Sequence, residues 1–167
     1  TGYVKPFVRL ELGAKGERSP HSAQQITSYV AEAVPQAFEE NSAITVPVLG
    51  IERTFWEKIT ILHSVASRPE DKELQPRFSR HYYDTYQLAR DTELTERIIQ
   101  DTALLEAVVA NKRAYFFESW DWYDTAQPGS FKLVPSEVRQ ESLAQDYKAM
   151  QEMIISDTPD YISPLSE

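Results

Sequence analysis

At Gly50 the periodicity of the chain changes, and that change limits the fold more than any other feature. Beyond it, Phe55, Ile59, Leu62 and Ala66 recur at helical spacing over residues 54–67. Before it the pattern is strand-like. Residues 4–12, VKPFVRLEL, put Phe7, Arg9 and Glu11 on one face and Val8, Leu10 and Leu12 on the other. Gly13 and Gly16 punctuate a turn. Residues 24–34, QQITSYVAEAV, begin strand-like and end as a helical turn. Residues 45–51, TVPVLGI, read as a short strand that Pro47 confines to an edge or a strand start.

After the first long helix, residues 68–76 form a polar loop with two prolines. A second amphipathic helix is predicted over 79–90 with Tyr82, Tyr86 and Ala89 inward, and a third over 101–118. Residues 119–135 are an aromatic-rich loop. Ser136 can cap a last helix over 137–155 that carries Val138, Leu143, Tyr147, Met150 and Ile154. The expected class is α+β, mostly α: a small β portion, 1–51, followed by a helical domain, 52–167.

Composition narrows the function. The chain has 167 residues, 41% of them hydrophobic and 26% charged, which suffices for a sizeable core. It has no cysteine, so disulfides and thiolate metal sites are excluded. No apolar run is long enough for a membrane span and no signal segment is visible, so a cytoplasmic location is expected. A net charge of −9 argues against broad, sequence-independent binding to nucleic acid, which depends on neutralising phosphates. A small anion can still bind where a few cations gather.

One stretch offers such a cation. In ERTFWEKITILH (52–63), Thr54 and Glu57 match a capping box, which would put Lys58 in the first helical turn. Cations are disfavoured there by the macrodipole, yet an ammonium beside free N–H groups suits a phosphate. The plainer reading is a solvated lysine beside Glu57, and spacing alone favours it.

Downstream, SRHYYDTYQLAR puts Arg80 and Asp84 one turn apart, with His81 on an overlapping face. That carboxylate could receive a metal or orient a cation such as Lys58, or it could form only a surface ion pair. Glu11 could complete a metal set from its strand, or simply pair with Arg9. His63 reads as a packing residue. Tyr115, Phe116, Phe117, Trp120, Trp122 and Tyr123 could stack on a base, although dense aromatics beside a helix end read better as core. P-loop, G-x-G-x-x-G, G-x-S-x-G, H-E-x-x-H and D-x-D motifs are all absent.

The order of VRLELGAKGE, TVPVLGIERTFWEKITILH, SRHYYDTYQLA, NKRAYFFESWDWYDTAQPGSFKLVP and DYKAMQEMI resembles the C-terminal two-thirds of AbiEii/AbiGii toxin-type nucleotidyltransferases. The most specific parts are R-T-x-x-E-K and R-H-Y-Y-D. The resemblance implies a DNA-polymerase-β-like nucleotidyltransferase fold with a helical C-terminal part. It also implies a place in bacterial toxin–antitoxin or phage-defence systems, with NTP as substrate, Mg²⁺ as cofactor, tRNA or another RNA as acceptor and an antitoxin as partner. By position, Lys58 matches the motif lysine and Asp84 the motif aspartate, the expected catalytic pair. Arg80 and His81 match the residues leading into that aspartate, Lys15 a basic position, and Glu11 a further strand acid for metal.

The family's Gly-Ser and D-x-D motifs, which supply its main Mg²⁺ carboxylates, have no counterpart here. The expectation is therefore a truncated piece of a larger enzyme, inactive alone, or a degenerate member without catalysis. The alternative function is a non-catalytic domain that binds an antitoxin.

Overall fold

The computed structural model describes residues 6–7, 10, 12–13, 15–38, 43–116, 118 and 122–154, so the strand read over 4–12 lies mostly outside it. Strand β1 (His21–Ile26) pairs antiparallel with β2 (Ile44–Leu49), from His21 opposite Leu49 to Ile26 opposite Ile44. Pro47 stands opposite Ala23. A two-stranded ribbon leaves half its N–H groups facing outward, and proline is tolerated at such a position. Between the strands, the Ser28 hydroxyl accepts from the Ala31 N–H at 3.1 Å and starts a short helix, α1 (Tyr29–Ala33). Residues 24–34 thus pass from strand to helical turn as their sequence suggests. Every residue of β1 is exposed, so the ribbon adds little to the core.

Helix α2 (Ile51–Ser67) begins at Ile51 and not after Thr54. Gly50 is its N-cap, its carbonyl accepting the Thr54 N–H at 3.0 Å. The cause is tertiary. The Gly50 N–H donates to the Pro20 carbonyl at 2.8 Å, and a Cβ at Gly50 would lie 3.0 Å from Pro20 Cγ and 3.2 Å from Pro20 O. A side chain at Gly50 would force Pro20 to give by a few tenths of an ångström, so glycine suits this close approach. The capping box is therefore not formed. The Thr54 hydroxyl donates back to the Gly50 carbonyl, Glu57 accepts from Arg53, and Lys58 sits beyond the first turn, clear of the positive dipole end.

Helix α2 is the spine of the fold because it is apolar on two sides. Phe55, Trp56 and Ile59 meet Leu94, Ile98, Leu105 and Val108, while Leu62 and Val65 meet Tyr82 and Leu143. These partners come from α3 (Ser79–Ala89), α4 (Thr92–Gln100), α5 (Thr102–Tyr115) and α6 (Glu137–Met150). Leu133 packs against both clusters, and Phe131 stacks on Trp56 with ring centroids 6.0 Å apart.

Several boundaries and faces differ from the sequence reading. Helix α4 precedes the expected third helix. Asp91 caps it and accepts from Leu94 N at 2.9 Å, and Asp101 both ends it and caps α5. Helix α5 stops at Tyr115, short of 118. In α3 Ala89 is exposed, and the bulkier Leu88 takes the last inward place. In α6 Val138 is 65% exposed, because Arg139 turns inward instead and donates to the Pro69 and Lys72 carbonyls at 2.7 and 3.1 Å. The inward stripe then runs Arg139, Leu143, Tyr147, Met150, and Ile154 lies past the helix end.

Asp146 of α6 fixes the start of α3. Its carboxylate accepts from Arg77 N at 2.8 Å, Ser79 N at 2.9 Å and Ser79 Oγ at 2.6 Å. That contact sets the position of the helix that carries His81 and Asp84. Taken together, the described residues are mostly helical with one small sheet, an α+β arrangement.

Candidate functional site

The packing of α2 on α3 brings Lys58 against one face of α3. His81 and Asp84, three apart, share that face. Lys58 Nζ donates to Asp84 Oδ2 at 2.6 Å and to His81 Nδ1 at 3.2 Å. An ammonium has no acceptor, so His81 must accept on Nδ1 and carry its proton on Nε2. The His81 ring is buried and meets the Phe78 ring edge-on at 5.4 Å. Burial, followed by the charges of Lys58, Arg80 and Lys112, holds its pKa down to about 4, with Asp84 pulling the other way. His81 is therefore a neutral ring in a positive field.

Lys112, one of these cations, brings further positive charge to the pair. Lys112 of α5 is 92% buried (8% exposed), with its ammonium 4.8 Å from the Phe116 ring centroid, one helical turn on. Burial lowers its pKa, Glu57 opposes the shift, and Arg53 and Lys58 add to it. Arg53 of α2 is buried as well. Its Nε donates to Glu57 Oε1 at 3.0 Å and its Nη1 to the Ser19 carbonyl at 2.9 Å, while Nη2 has no hydrogen-bond partner among the described residues. Lys15 joins the group, 5.6 Å from the same Phe116 ring, and its carbonyl accepts from Asn111 Nδ2 at 3.4 Å. A chain with a net charge of −9 thus gathers Arg53, Lys58, Lys112 and Lys15 at one place.

Arg53, Asn111 and Tyr115 also line a cleft of about 560 Å³ with Glu17, Ser19 and Pro20. A second cleft, about 480 Å³, lies between α5 and the turn at Tyr123–Pro128 and includes Arg113 and Asp124, which pair at 2.9 Å. It has none of the residues that surround Lys58.

Of the residues picked out by sequence, Lys58, His81 and Asp84 come together, and Lys15 stands nearby on Phe116. Arg80 is exposed, and Asp84 pairs with Lys58 instead of closing the expected Arg80–Asp84 contact. Glu11 lies outside the described residues. His63 is fully buried and packs. Of the aromatic cluster, Tyr123 is buried but Tyr115, Phe116 and Trp122 are 52%, 41% and 60% exposed, so the core reading fails for those three. Phe117 and Trp120 lie outside the described residues. Helix α5 ends at Tyr115.

Sequence reasoning missed Lys112 and Arg53. Each had a signal four residues away, Phe116 for the first and Glu57 for the second.

The described residues do not suit a divalent cation by themselves. No group of three or more His, Asp or Glu side chains gathers among them, and the Asp84 carboxylate is engaged by an ammonium. Hard cations such as Mg²⁺ require several oxygen ligands.

Fold and site together define a mostly helical protein with a concentrated, partly buried group of cations. The family model for the nucleotidyl transferase AbiEii toxin of type IV toxin–antitoxin systems matches residues 1–166, and the chain belongs to that family. Membership carries the general function, a nucleotidyltransferase toxin with a nucleotide substrate and an antitoxin partner. No curated protein and no solved structure matches the chain. Among the described residues, no helix is long and apolar enough to cross a membrane.

Proposed function

We propose that the protein transfers a nucleotide from an NTP to an RNA acceptor, the end of a tRNA being the expected one, as the toxin of a phage-defence toxin–antitoxin system. The observation that carries this reading is the Lys58 ammonium, held by Asp84 at 2.6 Å beside a neutral His81. Lys58 contacts the triphosphate and stabilises the charge that grows on it as the acceptor hydroxyl attacks the α-phosphorus and pyrophosphate leaves. Asp84 orients Lys58, and the short contact supports that role over one as general base. His81, uncharged at neutral pH, accepts from Lys58 without competing for the anion. Arg80, at the surface next to His81, attracts phosphate.

Mg²⁺ enters this reading as the counter-ion of the nucleotide, not as a guest of the described residues. In the same reading, residues 1–51 belong to a polymerase-β-like nucleotidyltransferase portion and 52–167 to its helical domain.

Nucleotide incorporation into tRNA tests the assignment. Lys58→Ala and Asp84→Ala are each expected to lower the rate by about two to three orders of magnitude. Undiminished incorporation by both variants would remove these residues from the site.

A further inference from the structure

We propose that Lys112 is a second phosphate-binding residue, taking a phosphate group of the same triphosphate that Lys58 contacts. This rests on reading the Lys58 cluster as a phosphate site. Four observations lead to Lys112.

Lys112 is a buried lysine, and the contact its ammonium makes among the described residues is with the Phe116 ring at 4.8 Å. A cation–π contact recovers part of the hydration an ammonium loses on burial, and a buried charge is ordinarily paired. The acid whose charge acts on it, Glu57, is already bonded to the buried Arg53 guanidinium at 3.0 Å. Among the described residues, Arg53, Lys58, Lys112 and Lys15 stand around Glu57 and Asp84, with Glu17 at the cleft beside Arg53, so cations outnumber carboxylates there. Finally, Lys112 reaches the site from α5, while Lys58 comes from α2. Two ammonium groups on separate helices can hold two groups of an extended polyphosphate, which one lysine cannot span.

A lysine kept only for packing would be replaced without loss by methionine, which matches its stem and needs no counter-charge. Replacing a buried charged side chain by an apolar one of similar volume is often neutral or stabilising. A phosphate-binding lysine behaves differently: the same change keeps the fold and removes the ligand.

The test is calorimetric titration of the protein with inorganic tripolyphosphate, alongside thermal unfolding and steady-state tRNA labelling. Lys112→Met is expected to unfold at the wild-type temperature or above while binding tripolyphosphate about tenfold to a hundredfold more weakly, the loss expected for one charge-assisted hydrogen bond. Lys112→Arg is expected to recover most of that affinity. In labelling, KM for NTP rises and KM for tRNA stays within twofold. Lys112→Met binding as tightly as wild type, with Lys58→Met weakened, overturns the role of Lys112 and leaves the phosphate site standing. A rise confined to the KM for tRNA also overturns it, because the phosphate would then belong to the acceptor. Failure of the wild-type protein to bind tripolyphosphate overturns it together with the phosphate reading.

Discussion

Two buried histidines, one on the spine helix and one on α3 facing it, are held in different ways. His63, near the C-terminal end of α2, has every nitrogen engaged by the loop it holds. Its Nε2–H faces the Trp122 carbonyl at 3.2 Å and Thr125 Oγ1 at 3.0 Å, and its Nδ1 accepts the Lys132 N–H at 2.9 Å. His81 has the same tautomer, but its Nδ1 meets a side-chain ammonium and its neighbours are charges. One buried ring is closed by backbone and serves the fold. The other accepts from a side-chain ammonium and sits among cations, where the proposed phosphate site lies. Buried polarity that the chain itself satisfies marks architecture, and buried charge that it leaves in excess marks a site.

The comparison breaks most sharply at His63. Its imidazole is fully buried and ties residues 122–132 to α2, with the Phe131 ring set edge-on to it at 5.7 Å. His63→Ala leaves a cavity and orphans the Lys132 N–H, and is expected to cost about 3 kcal/mol. Denaturant unfolding measures that loss, and nucleotide transfer should fall only in proportion to the fraction unfolded. Full stability in His63→Ala would erase the distinction between the two rings.

Acid sharpens it further. Both histidines have pKa values below the ordinary 6.5, His63 through burial above all, and His81 down to about 4. With the folded value depressed, the unfolded chain binds more protons in that interval, so stability rises with pH there. The contribution is complete above pH 6.5 and fades as pH falls through the folded value. For His81 the interval from 6.5 to about 4 corresponds to about 3 kcal/mol at most. Unfolding free energy measured from pH 7 to 4 should fall less steeply in His81→Gln than in the wild type, since glutamine offers Lys58 a carbonyl and does not titrate. Identical slopes would mean that His81 is protonated as readily folded as unfolded.

What the sequence disclosed divides along the same line. The spacing of Phe55, Ile59 and Leu62 announced α2, and these residues form its buried face. The pattern around 137–150 announced α6, although Arg139, not Val138, begins its inward stripe. Periodicity reports which side of a helix is apolar, and says nothing of which helix it will face. So Lys58 and Asp84 could be named as candidates, but their 2.6 Å contact depends on how α2 crosses α3, which Asp146 fixes from a third helix. Lys112 was hidden for a related reason. A lysine in NKRAYFF reads as surface beside aromatics, and only the packing of α5 on α2 buries it. Helix α4 was legible in principle, since Asp91 caps it and Leu94 and Ile98 are one turn apart, but its polar surroundings read as a connection.

The smallest expected effect lies where α2, the helix that carries both His63 and Lys58, begins. A true N-cap threonine holds a backbone N–H of the first turn, and its loss costs about 1–2 kcal/mol. Thr54 is already inside α2, and its hydroxyl donates at 3.1 Å to the Gly50 carbonyl, which also accepts the Thr54 N–H. Removing the hydroxyl leaves that carbonyl bonded and the side chain half-buried, and alanine is the better helix former. Thr54→Ala should therefore change unfolding free energy by less than about 0.5 kcal/mol. Measured beside His63→Ala, it separates a helix start set by the close approach of Gly50 to Pro20 from one set by a capping box. A loss of N-cap size would return the start of α2 to Thr54 and place Lys58 back in the positive first turn.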